Sequence, residues 1–153
     1  MTFIYDRTQN DVINAKRIKE DKFLKGVSLS DSEKSIMKKG SLSLEDINRI
    51  EQNLYDIQTE LMSVGYYAQI DKKIDIFDRE SVLYKYQIVD WVKRVEALKV
   101  AFFPYSNTPS EPIAIYHYEE INKIEKILFD TQKRFEEMKS LFRECGDYEC
   151  GGD

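Results

Sequence analysis

The chain has 153 residues, of which 42% are hydrophobic and 12% aromatic, and this is enough apolar material for the core of one ordinary domain. Its 23 basic and 28 acidic residues give a net charge of −5, which argues against nucleic acid as a partner because binding to phosphates requires a basic surface. No stretch approaches the roughly 20 apolar residues that cross a bilayer, so we expect no membrane insertion.

Two capping boxes predict two short helices in the first 40 residues. Thr8 and Asp11 predict a helix over about residues 8–22, because each side chain can bond the other residue's free backbone N–H group. Ser30 and Glu33 predict a second helix in the same way. We expect this helix to end at Gly40, since glycine suits the left-handed conformation that follows many helices.

The third predicted helix has the clearest periodicity. Ser43 and Asp46 form its N-terminal cap, and Gly65 ends it. Its apolar residues recur at intervals of three and four and form a narrow stripe along one face, namely Ile47, Ile50, Leu54, Ile57 and Leu61. After Gly65 a loose alternation predicts a short irregular or extended segment near residues 66–78.

Two longer helices are predicted in the second half. The fourth spans about residues 81–101, and its apolar face holds Ile88, Trp91, Val92, Val95 and Leu98. The fifth spans about residues 119–142 and again carries a stripe with intervals of three and four, namely Ile121, Ile124, Leu128, Thr131, Phe135, Met138 and Phe142. We therefore predict a mainly α protein, a bundle of about five helices in one domain. Its parts are a first half (1–65), a connecting segment (66–80), a second half (81–143) and a tail (144–153).

The third and fifth helices contain one sequence unit twice. Residues 46–58 align without a gap on residues 120–132, and Ile47, Asn48, Ile50, Glu51, Leu54, Asp56 and Gln58 recur 74 positions later. Similar lead-ins extend the internal repeat to residues 42–58 and 116–132. Helical periodicity alone would preserve the apolar positions but not Asn, Glu, Asp and Gln, so the pattern predicts a duplication or one recognition role used twice.

Two interpretations of the shared polar residues stay open at this point. They can bond to a neighbouring helix or loop and fix its register, or they can complete a solvated helix border. The apolar stripes can likewise pack within one chain or between chains. The candidate packing or interface residues are Ile47, Asn48, Ile50, Glu51, Leu54, Ile57, Gln58, Leu61, Ile121, Asn122, Ile124, Glu125, Leu128, Gln132 and Phe135.

The sequence contains few residues that favour catalysis or metal binding. His117 is the only histidine, and no catalytic triad, phosphate-binding loop or metal-ligand spacing includes it. We therefore predict a non-enzymatic protein with no bound cofactor or metal. Cys145 and Cys150 are the only cysteines, and they can form a disulfide outside the cell or stay free thiols in a reducing cytoplasm.

Several short motifs follow one another in a fixed order along almost the whole chain. Residues 5–12 read Tyr-Asp-Arg-Thr-Gln-Asn-Asp-Val, and residues 30–34 read Ser-Asp-Ser-Glu-Lys. Residues 47–51 and 121–125 both have the form Ile-Asn-(Arg/Lys)-Ile-Glu. This order resembles a module of the tail-fibre and baseplate-associated proteins of phages, prophages and phage-tail-like bacteriocins of Gram-positive bacteria. The module has Ser in place of Cys145 and Cys150, and residues 62–79 match no part of it.

The resemblance implies a structural component of a phage or phage-like tail, in baseplate or tail-fibre attachment. Its partners would be other tail or baseplate proteins and further copies of itself, three or six per particle. We expect synthesis in the bacterial cytoplasm and assembly into a virion tail or phage-tail-like particle. The alternative is a soluble helical adaptor or regulatory protein of prophage origin outside any particle. A small hydrolase or nuclease has no candidate residues to carry its reaction.

Overall fold

Five α-helices make up most of the described chain, which confirms the predicted mainly α class. The computed structural model describes residues 1–66, 85–102, 105–110, 112–113 and 117–146, with side chains described as far as residue 141. The predicted extended segment lies outside these residues from position 67 onward, and the side chains of Cys145 and Cys150, which can form a disulfide or stay free thiols, lie outside the described side chains. The helices are α1 (Gln9–Asp21), α2 (Asp31–Gly40), α3 (Leu44–Ser63), α4 (Lys85–Ala101) and α5 (Tyr118–Gly146).

Capping boxes begin the first three helices, as the sequence predicts. In each box the hydroxyl of the N-cap residue accepts a hydrogen bond from a backbone N–H three residues on. The carboxylate of that third residue accepts a bond from the backbone N–H of the N-cap residue. The pairs are Thr8 with Asp11, Ser30 with Glu33 and Ser43 with Asp46. These side chains satisfy N–H groups that a helix leaves unpaired, and so they fix the residue at which each helix begins.

Helices α3, α4 and α5 enclose the hydrophobic core. The apolar stripes of all three helices point into it, and Trp91 of α4 and Phe135 of α5 are its largest members. Phe102 extends the core beyond the end of α4 and packs edge-on against Phe135 and Tyr66. The stripes of α3 and α5 therefore pack within one chain.

Helices α1 and α2 form a hairpin that we call the α1–α2 hairpin, connected through a short 3-10 turn at Phe23–Lys25. Gly40 is the last residue of α2 and its φ is not positive, so the predicted left-handed helix end at Gly40 is wrong. A Cβ at Gly40 would lie 2.0 Å from the carbonyl oxygen of Asp11 and 2.6 Å from Cβ of Ala15. Glycine is needed there because α1 and α2 approach closely.

Gly65, with φ of 89°, has the left-handed conformation predicted after α3.

Candidate functional site

Glu125 of α5 accepts hydrogen bonds from three separate donors although its side chain is fully buried. Nη1 of Arg7 lies 2.8 Å from Oε1, and the backbone N–H of Ile4 lies 2.7 Å from Oε2. Arg49 of α3 donates to both oxygens, with Nη2 3.0 Å from Oε1. This one carboxylate therefore connects α5 with α3 and with residues 2–7, which precede α1 and which we call the N-terminal segment.

Asp46 supplies the second negative charge of the cluster. Its Oδ1 lies 2.7 Å from Nη2 of Arg49 and 3.5 Å from Nη2 of Arg7. Two guanidinium groups and two carboxylates thus share one site with balanced charge, in which only Arg49 is partly exposed, and balanced charge is the condition under which buried ions are tolerated. Burial alone would lower the pKa of Arg49, but its hydrogen bonds to Glu125 and Asp46 raise that pKa overall. We call Arg7, Asp46, Arg49 and Glu125 the four-charge cluster.

Asn122 holds the backbone of the N-terminal segment on α5. Its Nδ2 donates to the carbonyl oxygen of Arg7 at 2.8 Å, and its Oδ1 accepts from the N–H of Arg7 at 3.3 Å. On the other side, Nδ2 of Asn53 in α3 donates to the carbonyl oxygen of Thr2 at 2.9 Å. Backbone groups that would otherwise need water are satisfied by side chains from both repeat helices.

Aromatic rings hold the same segment from a second direction. The rings of Phe3 and Tyr5 lie against Phe129, with centroid distances of 5.7 and 5.0 Å. Nζ of Lys126 lies 5.3 Å from the centroid of the Tyr5 ring, within the range of a cation–π contact. Hydrogen bonds and aromatic packing therefore both position residues 2–7 across the bundle.

Glu51 is the counterpart of Glu125 in the first copy of the repeat, and it is also buried, with 1% of its surface exposed. Nε1 of Trp91 donates to it at 2.6 Å, and Nη1 of Arg94 donates at 2.5 Å. Both donors belong to α4. Nη1 of Arg94 also lies 3.7 Å from Asp90, one helical turn earlier. Each repeat glutamate is thus a buried acceptor that binds a neighbouring element.

Two further pairs of contacts occur at equivalent positions of the two copies. Asp46 pairs with Arg49 three residues on at 2.7 Å, and Glu120 pairs with Lys123 at 2.8 Å. One turn later in each copy, a side chain donates to the aspartate four residues on: Gln52 donates to Asp56, and Lys126 donates to Asp130.

Glu120 keeps its charge through its contacts. The pKa of Glu120 would be raised by burial, but hydrogen bonds from Lys123 and from the Ile113 backbone lower it overall.

The structure places the residues of the predicted interface set mainly inside the molecule. Ile50, Leu54, Ile57, Leu61, Ile121, Ile124, Leu128 and Phe135 are buried, and Ile47 is half-buried. Glu51, Glu125 and Gln58 are buried too, so a solvated border is the wrong interpretation for these three. Asn48, Asn122 and Gln132 are half-buried.

Sequence reasoning missed the partners of the two glutamates. Arg94 lies three residues from Trp91 and one before Val95 on an otherwise apolar face, and a charge in that place is the signal that indicates a buried ion pair. Arg7 belongs to the motif at residues 5–12. Nothing in the local sequence indicates its contact with Glu125, because the two residues meet only in the folded chain.

A half-open cavity of about 300 Å³ lies where the base of the α1–α2 hairpin meets the start of α5. Its described lining is mostly apolar and consists of Arg7, Gln9, Val12, Gly40, Leu42, His117, Tyr118 and Ile121. His117, the only histidine of the chain, is exposed here. Its ring is tilted by 36° to the ring of Tyr118, with 4.7 Å between the centroids, and its Nδ1 lies 3.6 Å from Glu119. We call this space the base cavity.

Among the described residues, no group of three or more His, Cys, Asp and Glu side chains is arranged to hold a metal ion. None of the helices in the described ranges combines the length and apolarity needed to cross a membrane.

Comparison of the chain with protein-family models, curated proteins and solved structures finds no match.

Proposed function

We propose that this chain is a structural component of a phage or phage-like tail, in baseplate or tail-fibre attachment, and that it acts through protein–protein contacts. One contact between distant motifs carries the proposal. Arg7 of the first motif bonds Asn122 and Glu125 of the last one. The first and the last of the motifs that resemble the tail module thus meet in one contact of the folded chain, which supports a common structural role for them.

The burial of the motif carboxylates supports a structural role. Glu51 and Glu125 are at most 1% exposed, and each is bonded to guanidinium groups of its own chain. Groups that are buried and paired in this way stabilise a scaffold, whereas a general acid or base must reach its substrate. We propose other tail or baseplate proteins as partners, together with further copies of the chain, three or six per particle. The net charge of −5 favours protein partners over nucleic acid.

Quantitative mass spectrometry of purified particles tests this proposal. Tails or tail-like particles from the producing strain would be purified on a density gradient, and the chain would be counted against a tail protein of known copy number. We expect three or six copies per particle. The control is the same preparation from a strain that lacks the gene. A chain that is abundant in the lysate but absent from particles would overturn the proposal in favour of a helical adaptor.

A further inference from the structure

The end of the α1–α2 hairpin carries a group of exposed apolar side chains. Phe23 is 58% exposed, Leu24 is 66% exposed and Val27 is 49% exposed. Isolated exposed apolar residues are common, but a contiguous group at a projecting turn marks an interaction surface. We call these three residues the hairpin tip.

The base cavity has the size and lining to take such side chains. A cavity of about 150 Å³ holds one benzene molecule, so about 300 Å³ leaves room for a phenyl ring with a neighbouring aliphatic group. Val12, Leu42 and Ile121 give the cavity apolar walls. The cavity is half-open, so a side chain of another molecule can reach it from solvent.

The tip of one chain cannot enter the base cavity of the same chain. Gln9 and Val12 line the cavity at the start of α1, and Phe23 follows the end of that helix. Because a helix rises about 1.5 Å per residue, the tip lies roughly 15–20 Å from the cavity and is held there by α1 itself. Only a second molecule can bring a tip to this cavity.

Charge favours the same pairing. Lys25 lies in the turn at the apolar tip and is exposed, whereas Lys22 is paired with Glu33 at 2.6 Å. At the cavity, Glu119 is an exposed neighbour of the lining residue Tyr118, whereas Asp6 is paired with Lys39 at 3.1 Å. Opposite charges around an apolar contact fix its orientation and speed the encounter.

We infer that the chain associates with itself head to tail, with the hairpin tip of one copy in the base cavity of the next. A contact between two different surfaces of identical molecules closes into a ring when its rotation permits and otherwise forms an open filament. This inference deepens the proposed structural role and rests on it for the expected ring of three or six copies.

Two variants of the full chain separate the two halves of the contact. The double variant Phe23→Ser, Leu24→Ser removes the two large apolar side chains of the hairpin tip, and both positions are exposed. Gln9→Trp places an indole at the mouth of the cavity, also from an exposed helix position. Val100→Ser is the matched control, because Val100 is 80% exposed on α4 and belongs to neither surface. Circular dichroism would verify that all variants keep the helical fold.

Sedimentation velocity over a range of concentrations is the measurement. We expect the unaltered chain and the Val100→Ser control to form the same assembly larger than a dimer. The tip variant and the cavity variant should each associate at least about tenfold more weakly, since burial of one large apolar side chain corresponds to about this factor. An equimolar mixture of the two should form one-to-one dimers and nothing larger, because only one intact tip can meet one intact cavity.

Three results would overturn the inference. The unaltered chain could stay monomeric at all concentrations, the tip variant could associate as strongly as the control, or the mixture could fail to form dimers. Symmetric tip-to-tip contact would be recognised because the cavity variant alone would then still dimerise. Particle composition is measured separately, so a monomeric chain found in particles would refute this contact and leave the structural role standing.

Discussion

Arg7 and Glu125 are separated by 118 positions in the sequence, yet Nη1 of Arg7 lies 2.8 Å from Oε1 of Glu125. Both side chains are buried, so the pair forms only when the N-terminal segment lies on α5. A buried ion pair loses its hydration, and removal of one partner leaves the other charge buried with fewer bonds. The N-terminal segment is therefore a structural part of the bundle.

Replacement of Arg7 by Gln should lower the free energy of unfolding by about 3 kcal/mol. The neutral side chain leaves the cluster with two carboxylates and one guanidinium group, that of Arg49. Urea denaturation followed through the fluorescence of Trp91, the only tryptophan, measures the change. The control is Arg17→Gln, at an exposed position of α1, where we expect a change within about 0.5 kcal/mol. Equal effects of the two variants would contradict the structural role of Arg7.

Replacement of either repeat glutamate by Gln should also destabilise the fold, by about 2–4 kcal/mol each. Glutamine keeps the shape of Glu51 or Glu125 but removes the charge that offsets Arg94 or Arg7. Glu45→Gln, at an exposed position of α3, is the matched control and should change the free energy of unfolding little.

The same urea titrations compare the two glutamates directly. Similar losses for Glu51→Gln and Glu125→Gln are expected if the two copies use this position in the same way. A large loss for one variant and a loss at the level of Glu45→Gln for the other would show that the shared sequence does not carry a shared role.

The helices of this fold could be predicted because their signals are local. A capping box such as that of Ser43 and Asp46 lies within four residues, and the stripe that contains Ile50 and Leu54 follows from the period of the helix. The bounds of α3 therefore agree with the prediction to within two residues. Gly40 shows where this reasoning fails, because its small size matters for the contact with α1 rather than for its own conformation.

The sequence predicts the two buried glutamates of the candidate site but not the residues that bind them. The repeat drew attention to Glu51 and Glu125, since identical polar residues are not required by helical periodicity. It could not identify their partners, which depend on how helices and the N-terminal segment are arranged in space. Trp91 illustrates the limit, because its place on the apolar face predicts burial but not the hydrogen bond from Nε1 to Glu51.

Gly40→Ala should destabilise the α1–α2 hairpin. Alanine is intrinsically better than glycine in a helix by about 1 kcal/mol, so a neutral site would be stabilised. Here the new Cβ would lie 2.0 Å from the carbonyl oxygen of Asp11, which is backbone and cannot turn aside. We expect the two helices to move apart at a net cost of about 1–3 kcal/mol.

Hydrogen exchange measured residue by residue is the test of the Gly40 prediction. Amides of α1 around Ala15 should exchange faster in Gly40→Ala, while those of α3 around Leu54 should be unaffected. Gly26→Ala is the contrasting variant, since no atom beyond its two chain neighbours lies within 4 Å of the new Cβ and its cost arises from a φ of 70°. Unchanged or slower exchange in α1 of Gly40→Ala would refute close packing at this glycine.

Glu33 connects the two helices of the hairpin through its carboxylate. Oε1 lies 2.6 Å from Nζ of Lys22, and Oε2 accepts bonds from the backbone N–H and the hydroxyl of Ser30, each at 3.0 Å. The hydrogen bond from Lys22, followed by that from the Ser30 backbone, lowers the pKa of Glu33 from 4.5 to about 2. The charged form is therefore favoured by folding.

This shift predicts the sign and the range of a pH effect on the hairpin. A carboxylate with a lowered pKa adds stability above its unfolded pKa of 4.5, and the contribution is lost as the pH falls through about 2. We expect the carboxyl carbon of Glu33 to titrate by NMR with a midpoint well below 4.5, and α1 and α2 amides to exchange faster over the same range. In Glu33→Gln this part of the pH dependence should disappear, because no proton is taken up at position 33. A Glu33 midpoint near 4.5 would show that Lys22 and Ser30 do not bind the carboxylate in solution.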